Sequence, residues 1–474
     1  MRTIDLIVQI CMISLVLFSC WSIEPASSQE TEAAFTYTTE RILLDNGTLS
    51  LPDGIELSGT GSMDDPFILD SIWINQTDGP AIWINGSTDQ IIIRNTAVTY
   101  GIWTRSDGIF ISNSTNVTIV DSLVQNCYIG LHIDNSSDIR VIGSDLSGNT
   151  YGIMSRASPD NNITDCSMNG NLIDGLMLEG SDRCTISFCQ FISNSARIAN
   201  DAAIRAVRSS DTIVQGCDIK MNYGTGISLI GPITGCIVMD CDVNYNNEGM
   251  ILENVGETRV QGIEMIINMK AMELGELRDC SFADLTIFRN QNGMELRDVH
   301  ESSFIRIELE ECGYGFDLER SHNNTFLNCT ITGSKRYDLK VGIPLDHLSS
   351  SDHNVFSGNY FQKGCKVLPS VHDNGFGNRW DLDGIGNIWS GSDLEDQDLN
   401  GLGDLPVEIN GTAGSKDMFP RTDMEIGPDR SPDDPVSGET GDEDLPIIVL
   451  LITTGIVVFF LIALILARRG KDPE

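Results

Sequence analysis

Short segments of the form Gly–apolar–x–apolar recur through the middle of the chain, set apart by runs rich in Asn, Asp, Ser and Gly. "GIFI" begins at Gly108, "GLHI" at Gly130, "GIMS" at Gly152, "GLML" at Gly175, "GISL" at Gly226, "GMIL" at Gly249, "GMEL" at Gly293 and "GFDL" at Gly315. "AIWI" (Ala81), "AIRA" (Ala203), "AMEL" (Ala271) and "YDLK" (Tyr337) stand in the same place with another first residue. Successive starts lie mostly 22 or 23 residues apart, and the steps of 27 after Ala81 and 28 after Gly175 leave room for looped-out insertions. Eleven positions after a start stands an apolar residue: Ile119, Val141, Ile163, Ile186, Ile237, Val260, Phe282, Phe304 and Phe326. Alternation over so few residues, bounded by turn formers, predicts short strands rather than helices.

A strand of this length has no stability alone. Stacked on a copy of itself at ~4.8 Å, it gains a hydrogen-bonded ladder and an apolar column together. The pattern therefore predicts an all-β fold, a right-handed parallel β-helix of about 12 coils of ~22 residues, over residues 38–364. An Asp/Gly-rich cap is expected at 365–421 and an acidic linker at 422–445.

Both ends are apolar. Arg2, the run from Leu6 to Cys20 and the small residues near Ala26 read as a secretory signal over 1–28. The uncharged run at 446–467 is long enough to cross a bilayer as one helix. Arg468, Arg469 and Lys471 follow it, which assigns the tail 468–474 to the cytoplasm and the repeat to the outside. On an external rod the ten Asn-x-Ser/Thr sequons are candidate glycan acceptors.

Charge narrows the partners. The chain has 30 Lys+Arg against 68 Asp+Glu, a formal charge of −38. That balance excludes nucleic acid, which needs a basic face, and it suits cations. The 13 cysteines include no CxxC. Most fall at fixed offsets from their start, as Cys166, Cys189, Cys217 and Cys329 do, and so read as buried column members. Oxidation between neighbouring coils is the alternative, because one coil step lies within disulfide reach. Nothing in the sequence specifies an assembly.

"GTGSMDDPFIL" (Gly59 to Leu69), "SHNNTFLNCTI" (Ser321 to Ile331) and "SDHNVFSGNYF" (Ser351 to Phe361) resemble the opening coil and the Asn-rich repeat of NosD-like surface proteins. "GNIWSGSDLEDQDLNGLGDLPVEI" with "DMFP" (Asp417 to Pro420) is similar to that family's closing segment. The resemblance implies a β-helix between Gly59 and Pro420 and membership of a superfamily rich in carbohydrate-binding proteins and sugar hydrolases. It also raises copper. His300, His322 and His353 stand three or four residues before a Phe and could line one turn, but the anchored external layout argues against copper handling as the main role.

Two constellations carry candidate chemistry. Asp396, Asp398, Asn400, Gly401 and Asp404 occupy places 1, 3, 5, 6 and 9 of a calcium-type loop, with Val407 where the bidentate Glu would stand. Calcium is the cofactor expected there, and a solvated acidic cap is the alternative. Within the repeat, the solvent-facing x residue is acidic in three consecutive coils: Glu273, Glu295 and Asp317. Steps of ~4.8 Å and ~9.6 Å bracket the carboxylate separations of glycosidases, and crowded like charges favour a protonated acid. A salt-bridged outer face is the commoner meaning of such a row. The sequence thus points to a membrane-anchored external rod that binds carbohydrate or cell-envelope polymer, with no enzyme activity required. A polysaccharide hydrolase or lyase using the acidic row is the rival.

Overall fold

In a computed structural model the described residues are 35–45, 48–75, 79–100, 105–195, 201–343, 350–362, 370–390, 394–398 and 400–422. The expected signal, linker, membrane helix and tail lie outside them. Among the described residues there is no helix, and hence none long and apolar enough to cross a membrane.

The strands stack in parallel, in-register columns that form a β-solenoid of right-handed type. Twelve starts enclose about 11 turns. The first face is a 15-stranded sheet that begins at Thr48–Ser50, antiparallel to Ile42–Asp45, runs on in parallel through Ile82–Asn85, Ile109–Ser112 and Lys270–Gly275, and ends at Val371–Asp373. Two further faces complete each coil, as Thr185–Ser187 and Gln190–Ile192 do. In two coils they merge into one bent strand, Ser281–Phe288 and Ser303–Glu310. Stacking continues past residue 364, because Val371–Asp373 pairs with Leu339–Val341 and Ile388–Trp389 with Tyr360–Phe361.

The repeat's first residue is small for a steric reason. A Cβ on Gly130 would sit 2.6 Å from the Gly152 carbonyl oxygen, and one on Gly152 would sit 2.4 Å from that of Gly175. The last start differs from the sequence expectation. Phe316 pairs with Leu339, so Asp338 rather than Tyr337 stands at the glycine place. Its carboxyl group is buried (1% exposed).

The apolar column behaves as expected with one correction. Ile186, Val214, Val238, Val260, Phe282, Phe304, Phe326 and Phe356 pair in succession. Ile237 belongs outside it and pairs with Arg259. The cause is local: the strand Thr225–Thr234 carries one extra residue, and its register against Glu248–Gly256 shifts between Ile230 and Ile233. A one-residue slip moves every following side chain to the other face, which also puts Cys236 and Cys241 one place late. At the C-terminal end the column becomes a stack of rings. Phe304, Phe326, Phe356 and Trp380 follow one another at centroid spacings of 4.7, 4.9 and 4.5 Å.

The turns are held by polar ladders. Seven asparagines (Asn149, Asn171, Asn194, Asn222, Asn246, Asn268, Asn290) lie one above another, each Oδ1 accepting the backbone N–H of the residue one coil before it. Ser114, Ser136, Ser158, Ser181 and Ser209 form a second ladder in the same way. These bonds satisfy inward-facing amides that the turns would otherwise leave unpaired, each worth about 1 kcal/mol net but costing more if lost. Asn and Asp also supply left-handed turn residues, such as Asn135 (φ 47°), Asp165 (φ 54°) and Asn328 (φ 53°). The cysteines occupy ladder places too. Cys127 and Cys312 flank the asparagines, while Cys166, Cys189, Cys217 and Cys241 follow Ser122 and Ser144 in another column. All ten described cysteines are buried and free, their thiols turned to backbone carbonyls such as Thr164 and Gln215.

The closing segment works by the same device. Asn387 bonds to Asn359, and the Asp417 carboxylate takes the next ladder place, accepting the Asn387 amide at 2.7 Å and the Trp389 indole N–H at 2.9 Å. The Gly-Asn-x-Trp and Asp-x-x-Pro motifs are therefore two halves of one coil end that covers the ring stack.

Candidate functional site

The first face positions the acidic row. Inward places alternate with outward ones, so Met272, Met294 and Phe316 fill the core while Glu273, Glu295 and Asp317 pair in register on the outside. Lys340 and His372 continue the row.

A second row, the residue just before each start, meets these acids, with Tyr314 buried in it (5% exposed). Lys270 Nζ lies 2.7 Å from Glu273 and 3.3 Å from Glu295, bridging the two. The Tyr314 hydroxyl and the Asn292 amide (3.2 Å) donate to Glu295. Asp317 accepts from the Tyr337 hydroxyl at 2.7 Å and from Lys340 at 3.0 Å. The Tyr314 and Tyr337 rings stack at 5.3 Å. Burial, together with these carboxylates, pushes both phenols well above their usual range. Burial alone would lower the Lys270 ammonium, but its bond to Glu273 and the Glu295 charge hold it above the ordinary lysine value.

Beyond Glu273 the face dips. Gly275 has no side chain to fill its place, and the Glu253 carboxylate lies over it, 1.9 Å from where a Cβ would stand. The depression has a volume of about 170 Å³ and is lined by Glu253, Glu273, Glu276, Glu295, Arg297 and Asp298 among others. Burial, with Glu276 and Glu273 nearby, raises the Glu253 carboxyl despite Arg297. The three acids named from the repeat are thus brought together. Lys270, Tyr314, Tyr337 and Glu253 were not singled out from sequence. Their signal is positional, since each keeps a fixed offset from its start.

The other candidates separate. In the loop, Asp396 accepts the Asn400 and Gly401 amides at 3.1 and 3.0 Å, Asp398 accepts the Asn400 amide, and Asp404 accepts the Gln397 amide at 3.0 Å. Their oxygens are used in the loop's own turns. His300 and His322 stack at 5.3 Å, nearly parallel, but His353 falls one position off that column, beside Asn323. Its ring rests against Phe376.

The profile of the family described as "Periplasmic copper-binding protein (NosD)" matches residues 67–239 and 232–394, more than half of the chain. The chain belongs to the NosD family. No curated protein matches it. Among solved structures it is similar to the A-module of the mannuronan C-5 epimerase AlgE4 of Azotobacter vinelandii, at 16% identity and TM-score 0.38, over 50% of this chain and 85% of that one. It is also similar to the catalytic unit of a GH87 alpha-1,3-glucanase from Streptomyces thermodiastaticus, at 14% identity and TM-score 0.42, over 73% and 71% of the two chains. A third is the Dettilon tailspike protein, at 12% identity and TM-score 0.37, over 68% and 62%.

The NosD description implies copper, and the donors among the described residues do not fit it. Among the described residues no three His, Cys, Asp or Glu side chains converge on one point. His132 Nδ1 is held by Asp107 at 2.8 Å, His322 Nδ1 accepts the Asp352 amide, and the cysteine thiols face backbone carbonyls inside the core. A copper site needs several soft or imidazole donors around one centre.

Proposed function

We propose that this NosD-family chain is an external recognition rod, held at the membrane by its C-terminal apolar segment, whose first face binds carbohydrate or cell-envelope polymer. One observation carries the reading: the in-register row Glu273, Glu295, Asp317 beside Lys270, Tyr314 and Tyr337. Carboxylates one coil apart, ~4.8 Å, repeat at about the length of one pyranose unit. Acceptors, phenols and ammonium groups alternate there, as sugar hydroxyls require, on a sheet too rigid to lose much entropy on binding.

The pairing also favours binding over hydrolysis. A glycosidase needs one carboxyl group kept protonated and one free carboxylate. Here Lys270 bridges Glu273 and Glu295, and Asp317 already has two donors, so all three carboxylates are engaged within the face. A glycan array with the purified chain is expected to show retention of particular polysaccharides with no reducing ends released. Glu295→Gln should weaken binding without changing turnover. Release of reducing ends, lost in Glu295→Gln, would instead establish the hydrolase or lyase reading.

Calcium at Asp396, Asp398, Asn400 and Asp404 is proposed on their spacing alone. The cation would have to displace the amides these oxygens now accept, which places its affinity at the weak end for such loops, ~10⁻⁴–10⁻³ M.

A further inference from the structure

Beside the acidic row, where the last strand of each coil turns into the first face, lies a cleft of about 390 Å³. That volume is within the range of small-ligand sites. Its walls carry Arg289, Lys335 and Arg336, all exposed, and its lining contains no Asp or Glu. In a chain of charge −38 this is a local inversion of sign. Ile267 and Met269, 46% and 56% exposed, give it an apolar wall.

Its shape is set by backbone. The Lys335 and Arg336 amides bond to the Cys312 and Gly313 carbonyls of the preceding coil at 3.0 and 2.9 Å. A Cβ on Gly313 would meet the Gln291 carbonyl oxygen at 1.9 Å, so the coils can approach this closely only at a glycine. Arg289 is steadied by Glu311 at 2.6 Å and by the Phe288 ring at 4.7 Å. The Arg336 side chain has no ion-pair partner among the described residues. Asn292 lines the cleft and also donates to Glu295, which makes the cleft and the acidic row one continuous surface.

We infer that this cleft is the subsite for an anionic sugar residue, seating its carboxylate or sulfate between Lys335 and Arg336 while the rest of the glycan lies along the first face. The inference rests on the reading of that face as a glycan site and adds its charge class. Lys335 and Arg336 would act on the anion directly, the nearby Glu311 charge is already paired with Arg289, and charges more than ~10 Å away are largely screened at 0.1 M salt. A planar guanidinium also suits bidentate pairing with a carboxylate or sulfate.

The test compares an oligogalacturonate, its methyl ester, a sulfated carrageenan oligosaccharide and a neutral cello-oligosaccharide by calorimetric titration of the whole chain. The acidic oligomers should bind at least tenfold tighter than the ester. Lys335→Gln/Arg336→Gln should remove that margin. Whether the uronate or the sulfate arm carries the margin identifies the anion. Both substituted side chains are exposed, and an unchanged melting temperature would verify that the variant folds. Ester and acid binding equally well, or a margin untouched by the double variant, would overturn the inference and leave the glycan face standing. Failure of every oligosaccharide to bind would overturn both.

Discussion

Truncating one ring in the core tests the register on which every outward position depends. Phe326 is 1% exposed. Its ring lies between Phe304 at 4.7 Å and Phe356 at 4.9 Å, with Phe316 edge-on at 5.2 Å. Phe→Ala in a core costs ~3–5 kcal/mol through lost transfer energy and cavity formation, and each ring pair adds ~0.5–1.5 kcal/mol beyond area. Three ring partners vanish at once and the flanking coils are pinned by ladders, so the expected cost is ~4–5 kcal/mol, at the top of that range. Urea unfolding followed by far-UV dichroism measures it, with hydrogen exchange reporting whether the loss spreads beyond neighbouring coils, as a one-dimensional stack should limit it. Val238 and Ile237 serve as internal controls. Val238→Ala empties a column place and should cost ~1.5–3 kcal/mol, while Ile237→Ala, on the outer side, should cost less than ~1 kcal/mol. A cost below ~1 kcal/mol at Phe326, or a larger cost at Ile237 than at Val238, would refute the register.

Two further outcomes are expected. Burial pushes the Asp338 carboxyl up to about 7. The folded state therefore binds the extra proton between the unfolded value, ~3.9, and that point, so this group's contribution to stability should fall as pH rises from about 4 to 7 and then level off. Asp338→Asn should flatten the slope by that share, Asp174 (pushed up to about 6) keeping its own, and stabilise the chain at pH 8 by about 2–4 kcal/mol; an unchanged or lower melting temperature there would contradict this. For the loop, calcium at a hundredfold excess over its dissociation constant should add ~2.7 kcal/mol, most of it lost in Asp398→Ala. Identical melting curves in chelator and millimolar calcium would leave the stretch a self-bonded acidic turn.

Much of this fold is written in one dimension. The spacing of Gly108, Gly130 and Gly152 and the column from Ile119 to Phe326 specify parallel stacking, because a strand of three or four residues has no other partner long enough to bury its apolar face. The outward alternation likewise puts Glu273, Glu295 and Asp317 on one line. What periodicity could not convey is anything that depends on a neighbour one coil away. The slip that replaces Ile237 by Val238 arises from one extra residue in a strand, and sequence offsets carry no record of where a bulge absorbs it. Lys270, Tyr314 and Tyr337 look like unrelated residues in three different repeats, and only stacking brings them against the acids. The same holds for Asp417, some thirty residues from Asn387. The cleft of Arg289, Lys335 and Arg336 is the clearest case. Arg289 and the neighbouring pair Lys335 and Arg336 come from different coils, and only stacking lines one cleft with all three. Periodicity determines which side of the sheet a residue occupies; only the stacked coils determine what it touches.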